Sequence, residues 1–267
     1  MLPAALPAPR RLGAVNWLGL WTLYLKEVRR FAKVFTQTLV SPLVTTLLFL
    51  AIFTLALGRS LQKVGGVGYA EFLTPGLVMM SMVQNAFANT SSSLVISKIQ
   101  GNIVDILMPP LSPLELTLGL AGGGLTRGIA VGIVSTLVVW ALLPLHVHDW
   151  FYVAFHAVAA SLLLSMIGML AGLWADKFDQ MAAVTNFVIT PLSFLSGAFY
   201  STERLPGLWR AIAHLNPFFY MIDGFRYGFI GHADGSLLAG VLVLAGADLL
   251  LGLLLWRLLA SGYKLRA

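Results

Sequence analysis

The chain has 267 residues, 58% hydrophobic and 10% charged, against about 25% charged in an ordinary soluble domain. That composition excludes a water-soluble enzyme and specifies an integral membrane protein. The net charge of +6 suits cytoplasmic loops and anionic lipid rather than nucleic acid, and the absence of cysteine excludes disulfides, thiolate metal sites and a cysteine nucleophile.

Residues 1–16 hold Pro3, Pro7, Pro9, Arg10 and Arg11 and no apolar run, so no cleavable leader is expected. Over 17–35, Trp17, Trp21, Leu25, Val28, Phe31 and Phe35 fall on one helical face, with Lys26, Arg29, Arg30 and Lys33 largely opposite. The pattern predicts a helix lying in the interface, its basic face toward lipid head groups. Residues 39–57 are uncharged and, at 1.5 Å per residue, just cross a core of about 30 Å; they form span one. A polar loop with Gly65, Gly66 and Gly68 leads to span two, 72–96. Gln84, Asn85, Asn89 and the hydroxyls that follow must face other helices or water.

Residues 97–115 interrupt the apolar sequence. Gly101, Pro109, Pro110 and Pro113 punctuate them, while Ile103, Ile106 and Leu107 recur at helical spacing and Lys98, Asn102 and Asp105 fall elsewhere on the wheel. A short surface helix presented to something aqueous is predicted, the plainer alternative being a connecting loop.

Span three, 116–143, carries Arg127 and a glycine ladder that admits close helix approach. Arg127 lies 17 residues before Pro144, about 26 Å, and is expected to snorkel to the inner surface. Gly122–Gly124 is not a phosphate loop, because the Gly-Lys-Ser/Thr ending occurs nowhere in the chain. His146, His148 and Asp149 in the next turn lack a further ligand set, so no metal site is predicted.

Span four is 150–174, a polar turn holds Asp176, Lys177 and Asp179, and span five is 181–200, with Asn186, Pro191 and Ser193. Within 201–235 the apolar stretches 205–215 and 217–230 are interrupted by Arg210, His214, Asp223 and Arg226. Each is too short and too charged to cross, so an outer re-entrant helical hairpin broken at Asn216-Pro217 is expected. Asp223 and Arg226, three residues apart, share a helix face and are expected to pair there or across a subunit boundary. Span six is 236–259, with Asp248 near its middle.

Six spans place both termini on one side. Twelve of the 17 Lys and Arg residues, those of the N-terminal segment and the tail with Lys98, Arg127 and Lys177, fall on one side, leaving Arg59, Lys63, Arg204, Arg210 and Arg226 opposite; both termini are therefore expected in the cytoplasm. The fold class is all-α integral membrane, a single permease domain over 1–267.

With that topology drawn, the chain resembles the permease subunit of a type-2 ABC exporter, the family of drug, polysaccharide and lipid-linked glycan exporters. The likeness rests on the amphipathic N-terminal helix, FLTPGLVMMSM at the start of span two, QGNIVDILMPPLSPLE after it, AAVTNFVITPLSFLSGAFYSTERLP, and LNPFFYMIDGFRYGFIG. The resemblance implies a homodimer in the bacterial inner membrane, bound on its cytoplasmic side by two copies of a separate ATP-binding subunit that holds ATP and magnesium. No cofactor is expected on this chain, and it is not expected to be an enzyme. Lys98, Gln100, Asn102, Ile103, Asp105, Ile106 and Leu107 would form the coupling helix. Gln84, Asn85, Asn89, Asn186 and Ser193 would line the path, and Asn216, Pro217, Asp223 and Arg226 the outer gate. The competing reading is a self-contained secondary transporter with Asp248 as its coupling-ion site.

Overall fold

A computed structural model describes residues 13–58, 63–64 and 66–264. Arg10, Arg11, Arg59, Gly65 and Arg266, used in the charge and loop arguments above, lie outside them.

The N-terminal helix α1 (Trp17–Ala32) starts at Asn16, whose side chain accepts from the Gly19 N–H, satisfying one of the donors a helix start leaves free. A π-turn (Thr36–Val40) leads into α2 (Ser41–Leu57), which has Pro42 in its first turn. One element departs from an all-helical chain: Lys63–Val64 (β1) and Val67–Gly68 (β2) form a two-stranded antiparallel ribbon. It turns through Gly66 at φ +84°, a conformation that favours a residue without Cβ.

Helix α3 (Tyr69–Ile99) follows, then α4 (Ile103–Leu107), α5 (Pro113–Leu142) and α6 (Trp150–Trp174). The stretch read as span five is a broken helix. It comprises α7 (Phe178–Val184), a second π-turn (Thr185–Ile189) and α8 (Thr190–Phe194) with Pro191 in its first turn, and residues 195–200 are turn rather than helix. The two π-turns share a sequence pattern, Thr36-Gln37-Thr38-Leu39-Val40-Ser41-Pro42 and Thr185-Asn186-Phe187-Val188-Ile189-Thr190-Pro191. In each, proline removes the N–H that would close the regular helix, and the backbone takes up one extra residue. A single 3₁₀ turn (Thr202–Arg204), α9 (Gly207–Leu215), α10 (Pro217–Ile230) and α11 (Leu237–Ser261) complete the described chain.

Helix α3 is the centre. It packs against α6, α5, α10 and α2, while α1 lies along α5. The α3–α5–α6 contact is close because glycine lines it: a Cβ on Gly168 would stand 2.5 Å from the Phe87 carbonyl oxygen, and one on Gly128 3.1 Å from the Met82 carbonyl oxygen. Phe72, Leu73, Met79, Phe87, Leu163 and Leu164 fill the remaining space and are fully buried. Among the described residues, four helical stretches are long and apolar enough to cross a membrane: Thr36–Ala56, Pro113–Leu142, Trp150–Trp174 and Leu237–Ser261. The ends of α3, α6 and α11 converge, since Lys98 Nζ donates to the Leu173 and Ala175 carbonyls and both Lys98 and Lys264 contact Asp176. The starts of α6 and α11 therefore lie on the opposite face, where the N–H groups of His148 and Asp149 donate to Gly228 O at the end of α10.

Candidate functional site

The 97–115 stretch folds as local chemistry dictates. Gly101 at φ +75° ends α3, and α4 runs for five residues before Pro109 and Pro110 end it. Ser112 and Glu115 then close a reciprocal capping box, with Pro113 in the first turn of α5. Glu115 has a second duty, because its Oε1 accepts from the Asn16 N–H at the head of α1. The Asn16 side-chain amide donates to Pro110 O at 3.2 Å. Helix α1 and the α4 stretch are thereby joined into one body, enclosing a cleft of about 790 Å³. Asn16, Trp17, Lys26, Gln100, Asn102 and Asp105 are among its lining residues.

The side chains of α4 divide differently from the sequence reading. Ile106 is buried, and Ile103 and Leu107 pack against the core beneath it, so these three anchor the helix rather than face outward. The outward apolar residues are Val104 and Met108, 52% and 77% exposed, beside exposed Asp105. Gln100 and Asn102 are exposed. Lys98 is committed to the carbonyls at the end of α6 and acts as that helix's C-terminal cap. Its carboxylate partner, Asp176, receives Lys264 and Lys98 together, and those two hydrogen bonds hold its pKa below the usual carboxylate range.

Helix α1 is also oriented differently. Its inward face carries Leu23, Glu27 and Phe31, while Trp17 and Trp21 are exposed. Glu27 is wholly buried and fully partnered. Its Oε1 accepts from Ser93 Oγ at 2.7 Å and lies 3.3 Å from Lys26 Nζ; its Oε2 accepts from Arg30 Nε and Nη2 at 3.2 and 3.1 Å. Arg30 Nη2 also donates to Asn89 O and Oδ1, and Nη1 to Ser92 Oγ. Arg30 therefore points into the protein rather than toward lipid head groups, and wholly buried Asn89 takes part in this junction.

Gln84 and Asn85 line a cleft of about 210 Å³ between α2 and α3, together with Ser41, Thr45 and Thr46. Asn85 Oδ1 accepts from Arg127 Nη2 at 2.9 Å, so Arg127 turns to span two instead of snorkelling to the surface. Asn186 sits in the second π-turn and is exposed, whereas Ser193 is buried and donates to Ile189 O.

Asn216 is the break expected between the two short helices. Its Oδ1 accepts from Phe218 N–H and its amide donates to Leu192 O at 2.7 Å, with Pro217 opening α10. Asp223 and Arg226 do not form a direct pair. Asp223 accepts from the N–H groups of Asp234 and Gly235 at 2.8 and 3.0 Å. Arg226 donates to Gly197 O at 2.7 Å and lies 3.9 Å over the Phe72 ring. Both side chains are buried and meet backbone groups first, because α10 packs against turns on two sides; the Arg226 Nε has no partner among the described residues.

Asp248 is half-buried in α11, its Oδ1 without a partner among the described residues. Asp149 caps α6 by accepting from the N–H groups of Phe151 and Tyr152, and His148 stands edge-on to Tyr227, so that turn is structural.

Residues 19–230 match the model of the family described as ABC-2 type transporter. The chain is 40% identical over 251 residues to the inner membrane transport permease YadH of Escherichia coli strain K12, covering 94% of this chain and 98% of that one. It is 27% identical to nodulation protein J of Neorhizobium galegae, over 82% and 83% of the two chains. The same protein from Rhizobium leguminosarum bv. viciae is 26% identical, over 90% and 91%. On the extent of that family match and the near-complete alignment to YadH, this chain belongs to the ABC-2 type transporter family of membrane permeases.

Proposed function

We propose that the chain is the transmembrane subunit of an ATP-driven exporter in the bacterial inner membrane, two copies pairing around the pathway and engaging two copies of a separate ATP-binding subunit. The observation that carries this reading is the body formed by α1 and α4. Its cleft is mainly apolar, with Lys26, Ser93, Ser97 and Gln100 along α1 and α3 and Asp105 on α4, and exposed Val104 and Met108 project beside Asp105. Two exposed apolar side chains flanking a carboxylate suit a groove on a soluble partner, the carboxylate fixing register. ATP and magnesium belong to that partner, as this chain has no phosphate loop. The likeness to YadH, an inner membrane transport permease, supports the compartment.

The charge distribution favours cytoplasmic termini, with α3 and the α7–α8 stretch completing six crossings. At 1.5 Å per residue, α9 and α10 reach about 14 and 21 Å, short of the roughly 30 Å core, which suits a hairpin that enters the outer leaflet and returns. Gln84, Asn85 and exposed Asn186 supply the polar wall of the path.

The test is Val104→Ala, Asp105→Ala and Met108→Ala combined. The chain should stay folded, with the melting temperature of wild type, yet lose both stimulation of the partner's ATPase and export. Undiminished coupling would move the contact elsewhere. The combination Ile103→Ala and Leu107→Ala should instead lower stability, since those side chains face the core. A self-contained transporter driven by Asp248 draws support from that unpartnered Oδ1; export unchanged in Asp248→Asn rejects it.

A further inference from the structure

On the face opposite α4, Glu203 lies in the 3₁₀ turn after α8, and His232 and Asp234 lie in the loop entering α11. One ligand atom from each falls within 4.8 Å of the other two. Asp234 has a side chain only 1% exposed, and its one direct ionic partner among the described residues is His232, with Nε2 3.2 Å from Oδ1. Arg226 acts on it only through space. The other oxygen, Oδ2, accepts from Thr202 N–H at 2.6 Å and from its hydroxyl at 3.2 Å, which fixes the carboxylate and directs Oδ1 toward His232 and Glu203. The backbone N–H of Asp234 is held in turn by Asp223.

A buried carboxylate needs a charged partner or a metal, and Asp234 has no lysine or arginine in direct contact among the described residues. An outer set of hydrogen bonds that locks one oxygen and turns the other toward an imidazole is the support metal ligands receive. We propose that Glu203, His232 and Asp234 bind one divalent cation of the zinc class, fastening the turn after α8 to the loop before α11. One imidazole nitrogen and two carboxylate oxygens suit that ion, with water as fourth ligand, whereas calcium and magnesium favour all-oxygen sets. The sequence showed no such cluster because Glu203 lies 29 residues before His232 and only the chain's return beside α10 joins them.

The experiment takes the full chain purified in detergent, stripped with chelator and dialysed against zinc chloride, with metal content and melting temperature measured. One zinc per chain and a raised melting temperature are expected. His232→Ala and Glu203→Gln should each weaken zinc binding by at least about tenfold. His146→Ala, a surface histidine outside the cluster, should leave it unchanged. Both ligand variants sit at partly exposed positions, which avoids disturbing the Thr202 contacts of Asp234. No retained zinc, binding undiminished in both variants, or calcium bound as tightly as zinc would overturn the assignment. The readout requires no ATP-binding subunit, so it stands or falls separately from the transport reading.

Discussion

Replacing Glu27 probes the junction between α1 and α3 most directly. Glu27→Gln keeps the shape: its oxygen can still accept from Arg30, and its amide can donate to Ser93 Oγ once that hydroxyl turns. What is lost is the charge on the Arg30 hydrogen bonds. Charge-assisted bonds contribute about 1.5–3 kcal/mol each and neutral ones about 0.5–1.5. Arg30 retains Asn89 and Ser92 and is 29% exposed, so solvent softens the loss to about 1–2 kcal/mol. Glu27→Ala removes every contact and leaves Ser93 and a gap against Gly123, and about 3–5 kcal/mol is expected for a buried pair deprived of one member. Lys26→Gln should cost under about 1 kcal/mol, because that side chain is 45% exposed. Chemical unfolding of the purified chain in micelles, followed by tryptophan fluorescence, gives the three values; Trp17 and Trp21 on α1 report its release. The reasoning fails if Glu27→Ala is no more costly than Lys26→Gln, or if Glu27→Gln is neutral.

Gly168→Ala should destabilise by about 1–3 kcal/mol, since its Cβ would press on backbone of α3 that cannot rotate away, whereas Gly246→Ala, with open space around it, should be neutral or gain up to about 1 kcal/mol; the same unfolding assay separates them. The Asp176 clamp joining α3, α6 and α11 has a lowered pKa, so its contribution is complete above the unfolded value of about 3.9 and is lost as pH falls below that. Melting temperature should accordingly show no Asp176-dependent change from pH 5 to 8, and the difference between wild type and Asp176→Asn should shrink below pH 4. Because the chain has no cysteine, single-cysteine labelling is clean: Ile99→Cys and Phe178→Cys should resist an impermeant reagent in intact cells while Trp150→Cys and Leu208→Cys react, and the reverse pattern would invert the topology.

Features governed by neighbouring residues were legible in the sequence. The short helix between Gly101 and Pro109, the break at Asn216-Pro217 and the long apolar helices all follow from proline, glycine and run length. The orientation of surface helices was not. Periodicity showed that Ile103, Ile106 and Leu107 share a face, but a helix lying on a membrane protein has two candidate apolar environments, and the packing of α4 on α3 and α5 chose the inward one. Arg30 resembled the other basic residues of α1 until its partner appeared, 59 residues away on α3. Asp223 and Arg226 have the spacing of a helical ion pair, yet backbone groups from residues 197 and 234–235 reach each of them first. Tertiary neighbours of this kind leave no trace in local spacing.

Each π-turn acts as a phase shift. One additional residue turns everything upstream by about 100° relative to a regular helix, so the faces before and after the insertion look in different directions. For α2 the upstream portion leads directly back to α1, and the insertion therefore sets the azimuth at which α1 and its Glu27 meet α3. Deleting a single residue from Thr36–Val40 should change the angle at which α1 meets α5 and α3. The position of α1 over α4, and with it one wall of the cleft, is thus tied to a five-residue stretch that lines no part of that cleft.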